Sequence, residues 1–185
     1  SCEEGHFQDE TGEDSCDQCA EGFYAENTGS VECMQCSYPL NSTAGSKLCS
    51  FCEEGFYLND TSIDKQTLVK KPLDFCLECP NEEEADCTRP NTTLVELPVR
   101  EGFWRDSYNT ATLYSCHNNA CVGHQPANDR RRHLQQVDTS SDIYCAENHT
   151  GPLCEVCIKN NDYFNPSKGK CTACPSPSRL FLRVL

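Results

Sequence analysis

Short apolar pairs recur along the first third of the chain, each set among polar residues rather than within a long hydrophobic run. Phe23-Tyr24 and Phe56-Tyr57 each follow a Cys-x-Glu-Gly phrase, and His6-Phe7 follows the same phrase near the start. Glycine permits a turn with positive φ, and the residues after it then have the geometry of a short strand. The pattern predicts a series of very short β-strands, each opened by a tight turn.

A longer alternating stretch lies near the middle of the chain. Apolar and polar residues alternate over 94–99 and lead into Phe103-Trp104, and Leu113-Tyr114 provides a return strand. The polar residues 106–109 between them are typical of a turn. The pattern predicts a β-hairpin over residues 93–115.

The chain contains no apolar run of the roughly 18–20 residues that a membrane-spanning helix needs. Residues 180–185 are apolar but few, and they are either the start of a juxtamembrane segment or an ordered tail. A membrane anchor beyond residue 185 is therefore one expectation. The absence of an initial Met and of a visible leader predicts a mature or excised piece of a longer precursor.

Cysteine spacing supplies the main repeat. Six Cys-x-x-Cys pairs occur, and the cysteines that open the early units stand at positions 2, 19, 36 and 52. Units of this length cannot each bury a hydrophobic face, so they must be cross-linked and stacked on one another. The unit at Cys36 lacks both the glycine and the aromatic pair and is a degenerate copy. Residues 157–164 form a looser copy in which asparagine supplies the turn.

The simplest pairing joins the cysteine that opens each unit to the first cysteine of the next Cys-x-x-Cys pair. Each such loop contributes about 3 kcal/mol by restricting the unfolded chain. An interleaved scheme, first to third and second to fourth, also fits the early cysteines. The candidate pairs are Cys2–Cys16, Cys19–Cys33, Cys36–Cys49, Cys52–Cys76, Cys79–Cys87, Cys116–Cys121, Cys145–Cys154 and Cys157–Cys171. Cys174 is left without a partner in the chain, which suggests a bond to another chain or to a cysteine beyond residue 185.

The spacing divides the chain into three parts. Residues 1–79 carry about four repeats, the last with an insertion. Residues 80–144 form a linker module that contains the predicted hairpin and a polar, exposed loop over 125–142. Residues 145–185 form an EGF-like end, because Cys145 and Cys154 have the spacing that closes an EGF module, followed by a partial repeat.

Composition agrees with a cross-linked scaffold. Only 33 of the 185 residues are Leu, Ile, Val or Phe, which is too few for a chain of this charge to build a core unaided. The 17 cysteines therefore have to order the chain, and so many indicate an oxidising compartment. Four Asn-x-Ser/Thr sequons support an extracellular route and are glycosylation candidates: Asn41, Asn59, Asn91 and Asn148.

The formal net charge of −14 is concentrated in the first part, where residues 1–60 carry 13 acids and one base, Lys47. An acidic surface repels phosphate backbones, so a nucleic-acid partner is not expected. The acids suit a solvated surface better than calcium binding. No EF-hand loop occurs, and no Asp-Glu or Asn-Glu pair stands just before a cysteine as in calcium-binding EGF modules.

Two chemistries compete with the disulfide interpretation. Zinc could be bound by Cys16/Cys19 with Cys33/Cys36, or locally by residues 116–124 with their two histidines, but the cysteines stand among acids and sequons. The second chemistry is catalysis, but the sequence has no nucleophile elbow, no HExxH helix motif and no phosphate-binding glycine loop, and its five histidines are isolated. The sequence predicts no catalytic residue, cofactor or metal site.

Trp104, the only tryptophan, is either a partner anchor or the local core of the hairpin.

These phrases resemble a known family. Cys19-Ala-Glu-Gly-Phe-Tyr, followed by the next two Cys-x-x-Cys pairs and Cys52-Glu-Glu-Gly-Phe-Tyr, is similar to the ephrin-receptor-like (GCC2/GCC3) repeat, a relative in style of tumour-necrosis-factor-receptor and EGF modules. Residues 102–105, 116–123 and 150–157 resemble the region that follows such repeats in large protist and algal surface proteins, often before membrane helices. The resemblance implies an elongated extracellular rod in a receptor, adhesion or surface-structure protein, and it implies no catalytic residue.

The sequence thus predicts a small disulfide-rich fold: an elongated rod of stacked cysteine-rich repeats with short β-hairpins and little helix. The expected function is that of a non-catalytic ectodomain segment at the cell surface that contacts other extracellular proteins. A structural subunit of an extracellular filament or matrix is the alternative, and an intracellular zinc-binding protein is a third hypothesis.

Overall fold

A computed structural model describes residues 1–10, 15–124 and 141–175. Its strands are two to four residues long: β1 (His6–Phe7), β2 (Asp17–Gln18), β3 (Phe23–Tyr24), β4 (Met34–Gln35), β5 (Leu40–Asn41), β6 (Phe51–Cys52), β7 (Phe56–Leu58), β8 (Cys76–Glu78), β9 (Thr92–Thr93), β10 (Phe103–Trp104), β11 (Tyr114–Ser115), β12 (His149–Thr150), β13 (Val156–Cys157), β14 (Asp162–Asn165) and β15 (Lys170–Ala173). The helices are α1 (Lys65–Lys70) and α2 (Pro72–Phe75), with 3-10 segments at Ser141–Tyr144 and Pro152–Cys154. The predicted loop 125–142 falls almost wholly outside the described residues, as do residues 180–185.

Nearly all strands pair as two-stranded antiparallel ribbons. The ribbons are β1–β2, β3–β4, β5–β6, β10–β11, β12–β13 and β14–β15. One three-stranded sheet has the order β8-β7-β9, in which β7 runs antiparallel to β8 and parallel to β9. Strands this short bury little surface and are only marginally stable alone, so the ribbons need further cross-links.

Eight disulfides supply those cross-links. They join Cys2–Cys16, Cys19–Cys33, Cys36–Cys49, Cys52–Cys76, Cys79–Cys87, Cys116–Cys121, Cys145–Cys154 and Cys157–Cys171. Each closes a local loop, with sequence separations from 5 to 24 residues, in the sequential rather than the interleaved arrangement. The prediction of a small disulfide-rich fold with little helix is confirmed.

The described structure falls into two compact units. Unit 1 comprises Ser1–Cys79 with Cys87–Leu97, and unit 2 comprises Pro80–Asp86 with the chain from Pro98 onward. Each has a small core in which apolar side chains pack against cystines. The core of unit 1 contains Leu40, Cys49, Cys52, Leu58, Leu68 and Cys76, and that of unit 2 contains Val99, Trp104, Ala120, Cys121, Tyr144, Cys145 and Cys154. The boundaries inferred from the spacing, after residues 79 and 144, stay a prediction.

A single backbone motif recurs in unit 1. The residue after the turn glycine donates its N–H to the carbonyl three residues earlier, and the glycine carbonyl accepts the N–H of the cysteine that opens the next repeat. For Gly22 these bonds are Phe23 N to Ala20 O at 3.1 Å and Cys36 N to Gly22 O at 2.8 Å. Positive φ at Gly5, Gly22 and Gly55 makes the turn possible, as the sequence phrase predicts.

The unit that begins at Cys36 keeps this turn without glycine. Pro39 takes the glycine's place after a cis peptide bond, and Leu40 N donates to Ser37 O at 2.9 Å. The Pro39 carbonyl then accepts Glu53 N at 2.9 Å, one residue beyond Cys52, which opens the next repeat. This copy keeps the turn although its sequence is degenerate, and its second hydrogen bond is shifted by one residue.

The same turn occurs in unit 2. At Gly102, Phe103 N donates to Arg100 O at 3.2 Å and the Gly102 carbonyl accepts Cys116 N at 2.8 Å. At Asn148, which has a φ of 67°, His149 N donates to Ala146 O at 3.1 Å. The turn therefore recurs at two positions in unit 2, and at Gly102 it does so without the cysteine that opens the repeat in unit 1.

The predicted 93–115 hairpin is correct only at its inner end. Phe103 pairs with Ser115 and Trp104 with Tyr114, but residues 94–99 form no strand. Val99 instead makes isolated bridges with Ala85 and His124. The alternation of apolar residues there reflects burial from several sides rather than one face of a strand.

The insertion in the fourth repeat contains both α-helices. The Asp64 side chain caps α1 by accepting Thr67 N at 2.9 Å, and Pro72 opens α2. Leu68 of α1 packs into the core of unit 1. Among the described residues, no helix has the length and apolar character needed to span a bilayer.

Candidate interaction surface and modification sites

In each repeat of unit 1, the residue just before the turn glycine, or before Pro39 in the third repeat, is a candidate for contacts with other proteins. It is an acid in three of the four repeats of unit 1, Glu4, Glu21 and Glu54, all exposed. Glu4 forms an ion pair with Lys47 at 3.1 Å. These three glutamates occupy equivalent backbone positions in the repeats, so the acidic character of residues 1–60 is distributed over turn after turn.

Tyr38 takes this turn position in the third repeat. It is 65% exposed, and its ring meets the ring of Phe56 edge-on, with centroids 5.4 Å apart. An exposed aromatic ring held against a neighbouring repeat loses little conformational freedom when it binds a partner. The turn row, defined as Glu4, Glu21, Tyr38 and Glu54, therefore combines negative charge with one preordered aromatic side chain.

A shallow groove lies beside helix α1 in unit 1. Its volume is 220 Å³, and it is lined by Glu26, Leu48, Gln66, Val69 and Lys70. The amide of Gln66 reaches toward the Glu26 carboxylate at 3.4 Å. Its mixed, partly apolar lining suits a side chain of a partner protein better than a small molecule, because small-molecule sites are larger and mostly apolar.

Trp104 belongs to the core of unit 2 rather than to an exposed anchor. It is only 6% exposed and packs against Tyr114, with ring centroids 5.9 Å apart. Of the two interpretations of this residue, the local core is the one that fits. Its indole N–H is buried without a hydrogen-bond partner among the described residues.

Arg105 is the buried charge that the sequence analysis missed. Its side chain is 0% exposed, donates from Nε to the Tyr144 hydroxyl, and donates from Nη1 to the Thr110 carbonyl at 3.1 Å. The guanidinium carbon also lies 5.4 Å from the centre of the Tyr144 ring. Burial raises the pKa of Tyr144, and the charge and hydrogen bond of Arg105 partly offset that rise.

The residues proposed for a local metal site do not assemble into one. Cys116 and Cys121 are joined to each other, and His117 is exposed. His124 stacks edge-on against the Tyr144 ring at 6.1 Å. Over residues 1–10, 15–124 and 141–175, no group of three or more His, Cys, Asp or Glu side chains is placed to hold a metal ion.

The four sequon asparagines differ in their surroundings. Asn59 and Asn91 are exposed, whereas Asn41 and Asn148 are half-buried. Asn41 accepts the N–H of Ser42 on its side-chain oxygen at 2.7 Å. Asn148 donates from its amide to Asp162 at 2.9 Å and accepts Lys159 N at 3.1 Å. The exposed pair is therefore accessible for modification in the folded chain.

Cys174 is the one cysteine of the described chain without a disulfide, and it is exposed. Its N–H donates to the Asn161 carbonyl at 2.8 Å. In unit 1, Cys19 and Cys36, which open repeats, donate in the same way to the carbonyl of the preceding turn glycine. The Asn-rich turn before it differs from the expectation in one respect, since neither Asn160 nor Asn161 is among the residues with positive φ.

Comparison with protein-family models gave no match, and comparison with curated proteins gave none either.

Proposed function

We propose that this chain is a non-catalytic, disulfide-stapled extracellular module that contacts other proteins, as an ectodomain segment of a cell-surface receptor or adhesion protein. The observation that carries the proposal is the set of eight local disulfides, which stabilise two small cores in which cystines pack with apolar side chains. Such bonds persist in oxidising compartments and are rare where glutathione keeps thiols reduced. Function in such a module is expected on the exposed turns rather than in a buried pocket.

The ephrin-receptor-like resemblance supports the proposal at the level of the repeat. The Cys-x-Glu-Gly-aromatic phrase that carries it forms the recurring turn at Gly5, Gly22 and Gly55. The elongated rod and the cell-surface location belong to the proposal, as does the absence of catalysis. A partner with basic residues is favoured, because the turn row of unit 1 is acidic.

A matched pair of variants tests the partner surface. Tyr38 and Val31 are both 65% exposed in unit 1, but only Tyr38 belongs to the turn row. The secreted chain is immobilised and offered to intact cells treated with a membrane-impermeant crosslinker. Tyr38→Ala is expected to reduce the captured surface proteins about tenfold, as the loss of a binding hot spot would, and Val31→Ala to leave them unchanged. Equal capture by both variants would place the contact elsewhere, and no capture by the wild-type chain would contradict the proposal.

The structural-subunit alternative is favoured by one observation, the exposed thiol of Cys174. If the chain assembles through this thiol, sedimentation without reductant shows covalent oligomers that disappear in Cys174→Ser. A wild-type chain that sediments as a monomer and keeps its thiol would leave the receptor or adhesion role as the better proposal.

Peptide mapping without reduction distinguishes the receptor or adhesion role and the structural-subunit role from the intracellular zinc hypothesis. Linked peptides that contain Cys19 and Cys33 support the extracellular proposal, because cystine sulfur is not a thiolate ligand. Alkylatable thiols together with bound metal would overturn it.

A further inference from the structure

We infer that the N-linked glycans of this chain are attached to Asn59 and Asn91, at the two ends of one strand pair in unit 1, while Asn148 stays unmodified. The inference rests on the proposed extracellular route. In this modification a lipid-linked diphospho-oligosaccharide is the donor. A bond forms between the anomeric carbon of its first sugar and Nδ2, the bond from that carbon to the diphosphate breaks, the diphosphate leaves with the electron pair, and Nδ2 gives up one proton.

Asn59 stands immediately after β7. Its backbone is held by a hydrogen bond from its N–H to the Phe75 carbonyl at 2.8 Å, while the residue itself is exposed. Thr61, whose hydroxyl completes the sequon, is exposed too. Asp60 between them turns away to accept Ser62 N at 2.8 Å. Both recognition residues of this sequon are therefore open to solvent.

Asn91 stands immediately before β9, the outer strand of the three-stranded sheet. Its N–H donates to the Cys52 carbonyl at 2.9 Å, and its φ is 64°, a conformation that asparagine tolerates better than most residues. The residue is exposed. The Thr93 hydroxyl of this sequon is half-buried and accepts Glu96 N at 3.3 Å, so the open part of the sequon is Asn91 itself, an exposed side chain on a fixed backbone.

The strand register places these two asparagines on the same strand pair. Tyr57 pairs with Thr92 and Leu58 with Thr93 in parallel, so Asn91 is level with Phe56, three residues before Asn59. At about 3.3 Å per residue, the two positions are about 10 Å apart along the strands. Glycans there would stand beside β9, an outer strand of the three-stranded sheet, and the edge of a sheet is where a strand of another chain could pair. Protein partners of unit 1 are then expected away from this edge.

Asn148 differs because the fold uses both ends of its side chain. Nδ2 donates to the Asp162 carboxylate and Oδ1 accepts Lys159 N, which tie the turn before β12 to the start of β14. A sugar on Nδ2 would replace one hydrogen of that amide and lie against β14. Folded molecules are therefore expected to carry an unmodified Asn148. The inference does not include Asn41, which is half-buried with only its oxygen bonded.

The test expresses the whole chain through the secretory pathway of a glycosylating eukaryotic host and digests it without reduction. Enzymatic removal of glycans in heavy-oxygen water marks each occupied asparagine as a labelled aspartate. We expect label at Asn59 and Asn91 and none at Asn148. Label at Asn148 in material with intact Cys145–Cys154 and Cys157–Cys171 bonds would overturn the inference, as would bare Asn59 and Asn91.

The two levels of the hypothesis fail in distinguishable ways. Intact cystine peptides with bare Asn59 and Asn91 would refute the glycan assignment and leave the extracellular module standing. Free thiols in place of the cystines would refute the proposed function as well.

Variants give a second, independent readout by electrophoretic mobility. Asn59→Gln and Thr61→Ala should each remove one glycan, and Thr61→Ser should keep it. Asn91→Gly removes the other while retaining a residue that accepts positive φ. Asn148→Gly, at a comparable φ of 67°, is the matched control and should leave the mobility unchanged. A faster band for Asn148→Gly would contradict the assignment, and so would an unchanged band for Asn59→Gln, Thr61→Ala or Asn91→Gly.

Discussion

A fully buried guanidinium is unusual in so small a core, and here a tyrosine side chain and a backbone carbonyl lie against it. Arg105 donates to the Tyr144 hydroxyl and the Thr110 carbonyl, and it lies near the Tyr144 ring. A buried charge is tolerated only when its donors are satisfied. Tyr144 is therefore a partner of Arg105 as well as a hydrophobic filler.

Removing that hydroxyl should destabilise unit 2. Tyr144→Phe keeps the ring but withdraws the acceptor of a buried charged donor, and we expect a loss of about 1–3 kcal/mol in the free energy of unfolding. Urea denaturation followed by Trp104 fluorescence measures it. Tyr163→Phe, which removes an exposed hydroxyl from the same unit, should change the midpoint little. Equal effects of both changes would show that the Arg105 bond contributes nothing.

Alkaline pH should destabilise unit 2 through the same tyrosine. Burial raises the pKa of Tyr144 in the folded state, so the fold prefers the neutral phenol while the unfolded chain ionises first. The stabilisation is complete below the ordinary tyrosine pKa of about 10 and is lost as pH rises through the folded value. Thermal melts across this range should show a falling midpoint.

Two controls keep that prediction specific. Cys174→Ser removes the free thiol, which would otherwise exchange with disulfides at high pH. Burial also raises the pKa of Tyr57 in unit 1, so the relevant quantity is the difference made by Tyr144→Phe. A pH dependence that Tyr144→Phe leaves unchanged would refute the role of this phenol.

Gly5 and Gly55 separate backbone conformation from close packing. Both have φ near +82°, but a Cβ on Gly5 would overlap the Gly45 carbonyl oxygen, whereas one on Gly55 meets nothing within 4 Å. Gly55→Ala should cost about 1–2 kcal/mol from the left-handed conformation alone. Gly5→Ala should cost clearly more, because a backbone carbonyl has to move. Equal losses in urea denaturation would show that the repeats do not pack this closely.

The repeat turn shows how far local sequence predicts an element. The Cys-x-Glu-Gly phrase that ends in Gly5, Gly22 or Gly55 predicts the turn directly, because glycine adopts positive φ without strain. Pro39 and Asn148 achieve related turns by other chemistry, so a search for glycine passes over them. The 94–99 segment misled for the opposite reason, since alternating burial arose there without a strand.

Helix α1 should depend on one buried side chain. Leu68 is 2% exposed in the core of unit 1, whereas Leu73, just beyond in α2, is 67% exposed. Leu68→Ala should lower the free energy of unfolding by about 2–5 kcal/mol, because it opens a cavity among cystines and apolar side chains. Leu73→Ala should change it little. Similar losses in denaturant titrations would mean that the inserted helix is not docked through Leu68.

The molecule as a whole should depend on its cystines for its structure. Closed loops of this size each contribute about 3 kcal/mol, while a small domain is typically stable by only about 5–15 kcal/mol. Full reduction is therefore expected to abolish the near-ultraviolet circular dichroism of both units at neutral pH. A chelator should leave the spectrum unchanged. Persistence in reductant, or loss in chelator alone, would contradict a fold held by disulfides.

Cysteine spacing was sufficient to indicate a cross-linked fold, because each disulfide closes a loop of at most 24 residues and nearby cysteines meet with little loss of chain entropy. The cysteine spacing could not exclude the interleaved disulfide pairing, and it does not predict contacts between segments that are distant in the sequence. Tyr144 lies 39 residues beyond Arg105, and Asp162 lies 14 beyond Asn148. The burial of the Arg105 guanidinium is decided by tertiary packing, and so is the difference between the exposed and the hydrogen-bonded sequon asparagines. Both depend on neighbours that are distant in the sequence, which no local sequence pattern predicts.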